Sequence, residues 1–151
     1  MIITFCGNNN FHASVEAEQL LADIIMQYTA QNTVVYCYCG GYGDFDNFAA
    51  NCVNKAKKHF NNIINCLVTA YMPTERHNLD YLKFRYNEII YPPLENVPYR
   101  YAILRRNEWL ADNADIIISH VIHTMGGAEK MLKYAERKNK KIIYLNKLIN
   151  K

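Results

Sequence analysis

Apolar positions along this chain fall into two periods. Five runs rich in β-branched residues, at 2–5, 33–39, 63–71, 115–122 and 141–145, are nearly continuous rather than alternating. That is the pattern of strands covered by helices on both faces. Between them the spacing becomes helical. Ala17, Leu20, Leu21, Ile24, Ile25 and Tyr28 share one face, with Ser14 placed to cap the helix and Glu16 and Glu18 in its first turn. Phe45, Phe48, Ala49, Cys52, Val53, Ala56 and Phe60 repeat the spacing, as do Ala128, Met131, Leu132 and Ala135; a further helix fits 99–112, carrying Leu104 and Trp109. Strand–helix alternation predicts an α/β fold with a parallel sheet of about five strands and right-handed crossovers, one domain over 1–151. The stretch 73–98, with Pro92, Pro93 and Pro98, interrupts the alternation. It carries a short extended piece at 88–91, and its length suits either a flap over a site or a surface insertion.

Composition narrows the class. With 151 residues, half of them apolar and 21% charged, the chain is globular and large enough for one sizeable core. The net charge is only +3, and the one basic run, Lys138, Lys140 and Lys141, fits a solvated helix end. This sparse charge argues against nucleic acid as a partner. The five cysteines, Cys6, Cys37, Cys39, Cys52 and Cys66, form no C-x-x-C pair and no zinc spacing, so a reduced, cytoplasmic protein without a metal or cofactor is expected. No apolar stretch reaches the ~20 residues of a membrane span, and the N-terminus does not read as a signal peptide.

Ligands of open parallel sheets bind beyond the C-terminal strand ends. Three predicted ends carry unusual loops. The first is Gly7-Asn8-Asn9-Asn10. The second is Gly40-Gly41-Tyr42-Gly43-Asp44-Phe45-Asp46, where three glycines allow close backbone approach. Asp44 and Asp46 at that helix start would repel phosphate and suit ribose hydroxyls, although Asp44 could be no more than a cap. The third is His123-Thr124-Met125-Gly126-Gly127-Ala128, an acid-free helix start and so the better phosphate cradle, followed by Glu129 in the first turn. Arg105, Arg106 and Asn107 lie in the helix that leads to the fourth strand, where one arginine could pair with a phosphate. His120 and His123 flank the end of that strand.

Taken together, Gly-Gly-Tyr-Gly-Asp-Phe-Asp at 40–46, Ile-Tyr-Pro-Pro-Leu-Glu-Asn-Val-Pro at 90–98, Arg106-Asn107-x-Trp109, Asp-Ile-Ile-Ile at 115–118 and Gly126-Gly127-Ala128 through Tyr134-Ala135 resemble the small bacterial single-domain members of the SLOG superfamily. The resemblance implies a Rossmann-like three-layer sandwich that recognises a nucleotide, a nucleotide sugar or an ADP-ribose derivative. Relatives include the lonely-guy phosphoribohydrolases, the DNA-processing proteins of competence and sensor domains of phage-defence effectors. This chain departs from the lonely-guy Gly-Gly-x-Gly-Thr-x-x-Glu motif, because Lys133 stands where the glutamate would be. The first loop departs too, with Gly7-Asn8-Asn9 in place of a Gly-His-Arg turn.

The expected function is therefore a sensor or sequestering module for a nucleotide-derived small molecule. Its ligand-binding residues would be Gly7, Asn8, Gly40, Gly41, Gly43, Asp44, Asp46, Arg106, Asn107, His123, Thr124, Gly126, Gly127 and Ala128. The alternative is a hydrolase or transferase acting on an N-glycosidic bond. That chemistry needs a carboxylate at the anomeric carbon, for which Asp44, Asp46, Glu129 and Glu108 are candidates. A DNA-associated role, by analogy with the competence relatives, is disfavoured by the modest charge. A homodimer is expected from the aromatic surface that Tyr81, Phe84, Tyr86, Tyr99, Tyr101 and Trp109 would supply.

Overall fold

The computed structural model describes residues 1–72 and 79–149. The sheet has six strands: β1 (Ile2–Gly7), β2 (Val35–Cys39), β3 (Ile63–Val68), β4 (Glu88–Ile90), β5 (Ile116–His120) and β6 (Lys141–Tyr144). All five pairings are parallel, in the order β4-β3-β2-β1-β5-β6. The additional strand is β4, the extended piece of the interrupted stretch, which pairs with Cys66 to Val68 at the sheet edge. The count of about five is corrected to six for that reason.

The helices are α1 (Val15–Ala30), α2 (Gly43–Ala56), α3 (Leu79–Arg85), α4 (Ala102–Asn113), α5 (Gly127–Arg137) and α6 (Leu145–Ile149). The Ser14 hydroxyl accepts the Ala17 amide at 3.1 Å and so caps α1 as its sequence predicts. The helix expected over 99–112 starts as a 3₁₀ turn, Tyr99–Tyr101, because Pro98 precedes it in an extended conformation.

Alternate residues of the strands face opposite layers. Ile3, Phe5, Val35, Cys37, Ile116 and Ile118 pack against α1, α2 and α6, through Leu21, Ile25, Phe45, Val53 and Leu145. Cys6 and Ile117 face the other layer and meet Leu110, Ala111, Met131 and Ala135 of α4 and α5. The result is a three-layer sandwich of Rossmann-like form. All five cysteines are free and buried, and burial pushes the Cys6 thiol up to about 12. They serve as small apolar side chains. Among the described residues no helix is long and apolar enough to cross a membrane.

The strand order carries the functional consequence. From β1 the chain builds outward through β2, β3 and β4, then returns to the other side of β1 for β5 and β6. The direction reverses between β1 and β5. Loops leaving those two strands part to opposite faces, and a crevice opens between them at the C-terminal edge.

Candidate functional site

At that crevice lies an open pocket of about 430 Å³. Its lining draws on all three loops singled out by composition: Gly7 to Asn10 after β1, Gly40, Tyr42 and Asp46 after β2, and His123 with Met125 to Ala128 after β5. Ile103, Arg106, Asn107 and Leu110 of α4 close the side, and Met131 of α5 contributes to the lining.

The loops are laced together by Asn8 and Asn9. The Asn8 amide donates to the His120 carbonyl at 3.3 Å, and its side-chain oxygen accepts the amides of Ile122 (2.8 Å) and His123 (3.2 Å). The Asn9 carbonyl accepts the Asp44 amide at 2.9 Å. The first loop is therefore a splint between the other two, and its asparagines are spent largely on backbone groups.

Arg106 is 2% exposed. One terminal nitrogen donates to the carbonyls of Gly40 (2.9 Å) and Val68 (2.7 Å), and Nε donates to the side-chain oxygen of Asn107 (2.9 Å). The other terminal nitrogen stands beside Gly40, where an added Cβ would lie 3.4 Å from it and 2.9 Å from the Asp46 carboxylate. Glycine is required there because the arginine and the carboxylate converge on its open side. The guanidinium thus clamps the ends of β2 and β3, a structural task that the sequence did not reveal, and only part of it remains for a ligand.

Asp46 accepts the Tyr42 amide at 2.9 Å and lines the pocket. Burial raises its carboxyl to about 6, against the opposing pull of the Tyr42 amide and the Arg106 charge. Asp44 is exposed and outside the pocket lining, and the residue that caps α2 is Tyr42, without a side-chain bond. The expectation that both aspartates face a sugar is corrected: residues two apart on a helix point about 200° from one another, so only one faces inward.

Gly126 caps α5 with φ 124° and ψ 179°, a conformation reserved for glycine, and nothing lies within 4 Å of where its Cβ would stand. This helix start is open to a ligand. Glu129 does not enter the pocket. It accepts the Met125 amide and pairs with Lys133 at 2.7 Å, bonds that hold its carboxyl below the usual range. Glu108 pairs with Arg105 at 3.5 Å. The carboxylate candidates are therefore dispersed: of Asp44, Asp46, Glu108 and Glu129, Asp46 alone lines the pocket. Thr124, Gly41 and Gly43 also stand outside it. His120 is half-buried outside this pocket, edge-on to Phe11 at 4.8 Å and stacked over Phe45, where burial lowers its pKa.

Three aromatic residues stand at the C-terminal edge of the sheet, of which Tyr42 lines the pocket and Tyr71 and Tyr99 do not. Tyr42, 55% exposed, lies in the glycine loop. Tyr71, after β3, stacks on Tyr99 with ring centres 4.4 Å apart, and Tyr99 is 77% exposed. Burial and the neighbouring Tyr99 hydroxyl push the Tyr71 phenol above its usual range. Tyr86 and Trp109 do not contribute to an exposed aromatic surface: Tyr86 is buried, and Trp109 is stacked on Tyr38. No described residue between Leu79 and Pro98 lines the pocket, so neither α3 nor β4 covers the site, and β4 extends the sheet instead; residues 73–78 of the expected flap lie outside the described residues.

No protein-family model matches the chain, and a search of curated proteins finds no match. Solved structures do match. DNA processing protein A from Helicobacter pylori, solved for its single-stranded DNA binding mode, superposes with a TM-score of 0.63 at 15% identity, over 94% of this chain and 63% of that one. DNA processing protein A from Streptococcus pneumoniae superposes with a TM-score of 0.62 at 12% identity, over 93% of this chain and 48% of that one. This chain thus spans less than two thirds of either neighbour. The likeness shows a shared Rossmann-like fold.

These neighbours overturn two expectations, the nucleotide-derived small molecule as ligand and the exclusion of nucleic acid as partner. The proteins that share the fold across nearly the whole chain process DNA, and one is described by how it binds a single strand. The error has a physical root. A net charge of +3 weighs against duplex binding, but single strands are also held by stacking on aromatic rings, which no charge count registers.

Proposed function

We propose that this chain binds single-stranded DNA at the β1/β5 edge, with one nucleotide of the strand seated in the pocket and its neighbours stacked on the edge tyrosines. The observation that carries this reading is an open glycine-lined crevice with the exposed ring of Tyr42 in its wall, at the same C-terminal sheet edge where Tyr71 and Tyr99 stack. A phosphate fits over Gly126, Gly127 and Ala128, where free amides of α5 and the helix dipole favour an anion. The Asp46 carboxyl, beside Tyr42, Gly40 and Arg106, addresses the polar edge of a base. Backbone amides and rings of this kind accept any base, so recognition is of single-strandedness rather than of sequence. The motifs at 40–46, 90–98 and 126–128 resemble those of the small SLOG proteins, and the Rossmann-like fold shared with the neighbours supports that likeness.

Fluorescence anisotropy with a labelled oligothymidylate tests this. Binding that weakens with salt, that exceeds binding to a duplex, and that loses about 1–3 kcal/mol in each of Tyr42→Ala and Tyr99→Ala is expected. Equal affinity for duplex and single strand, or indifference to both tyrosines, would refute it.

A further inference from the structure

We propose that the strand leaves the pocket along the groove between α4 and α5, over a stripe of cations on α5. This rests on the single-stranded DNA reading and gives the strand a path. The groove, of about 370 Å³, is lined by Leu104, Asn107 and Glu108 of α4 and by Lys130, Met131, Lys133, Tyr134 and Arg137 of α5. Asn107 and Met131 line the pocket as well, so pocket and groove are continuous. Lys130, Lys133 and Arg137 recur at spacings of three and four, which sets them on one face of the helix. At about 1.5 Å of rise per residue, the stripe extends for about 10 Å away from the Gly126–Gly127 start, enough to follow one or two phosphates of an extended strand.

The local charge favours this exit. Glu108 is matched by Arg105 and Glu129 by Lys133, whereas Lys130 and Arg137 have no carboxylate partner among the described residues. A second way out of the pocket exists past Asn8, Asn10 and His123, into a cavity of about 390 Å³ beside α1. Its walls include Phe11, His12, Ala17, His120, Ile122 and Ile149, with no lysine or arginine among the described residues. A polyanion crossing it would lack counter-charges, whereas the α4–α5 groove supplies two that are not engaged elsewhere.

The test is the salt dependence of oligothymidylate binding in the double variant Lys130→Gln/Arg137→Gln, beside the wild type and a control, Lys55→Gln/Lys58→Gln, on the opposite layer. Each neutralised contact to a single strand should reduce the log–log salt slope by about 0.7, so the double variant should lose about 1.4 and bind roughly tenfold more weakly at 50 mM salt. The control should keep the wild-type slope. Affinity should also stop rising at a shorter oligonucleotide length in the double variant than in the wild type. A wild-type slope in the double variant, with Tyr42→Ala still impaired, would overturn this path while leaving the pocket reading intact. An equal loss in the control would overturn it too, by showing diffuse attraction. Absence of wild-type binding to any oligonucleotide would instead remove the reading on which the path rests.

Discussion

The Asp46 carboxyl gives the pocket a pH signature. Its pKa is raised from 3.8 to about 6, so the folded protein holds this proton more tightly than the unfolded chain. The sign follows: folding bears no penalty from this group below about pH 4, and the penalty grows as pH rises and is complete above pH 6. Asp46→Asn should therefore flatten a stability change of about 2–3 kcal/mol between pH 4 and 7, read by thermal unfolding across that range. The same ionisation places a negative charge at the pocket, so strand binding should strengthen as pH falls through 6 in the wild type and not in the variant. A variant that keeps the wild-type pH profile would show that another group titrates there. Arg106→Ala should do more than weaken binding. It leaves the carbonyls of Gly40 and Val68 unpaired in the interior and should destabilise the protein by about 2–3 kcal/mol in chemical denaturation. A variant as stable as the wild type would mean that water replaces the guanidinium at little cost. The arginine itself was legible as a site residue, but its burial was not, because the carbonyls it clamps belong to strand ends 38 and 66 positions away.

Among the elements, those with strong periods were readable and those held by pairing were not. The cap of α1 is a local signal, and Ser14→Ala should cost about 1 kcal/mol in thermal stability, since it leaves the Ala17 amide without its acceptor. A loss well under that would mean that the first turn frays without penalty. Likewise the Gly126-Gly127 turn announces the open start of α5 by composition alone. By contrast, β4 spans only three residues, Glu88–Ile90, too few to show a period, and it exists because β3 offers it an edge. The inward turn of Asp46 and the outward turn of Asp44 depend on how α2 is rotated by the packing of Phe45 and Phe48, which the pattern Asp-Phe-Asp leaves open. The stack of Tyr99 on Tyr71 was not legible, because the two lie 28 positions apart and meet only once α4 is docked.

For the whole molecule, the parallel sheet, the two-sided packing and the three loops at its C-terminal edge were all present in the pattern of apolar runs and glycines. The chemistry of the proposed partner was not, because charge and composition describe the chain as a whole, whereas single strands are held by local grooves and a few stacking rings. The central assignment is the location of that contact at the β1/β5 edge. The most direct measurement is an amide NMR titration of the isotope-labelled protein with a short oligothymidylate. The backbone signals of Asn8, Gly40, Tyr42, Gly126 and Gly127 should shift first and furthest, with those of α1 and the C-terminal end of α2 unmoved. Shifts concentrated on α1 and α2, or no shifts at oligonucleotide concentrations well above those of the protein, would contradict it.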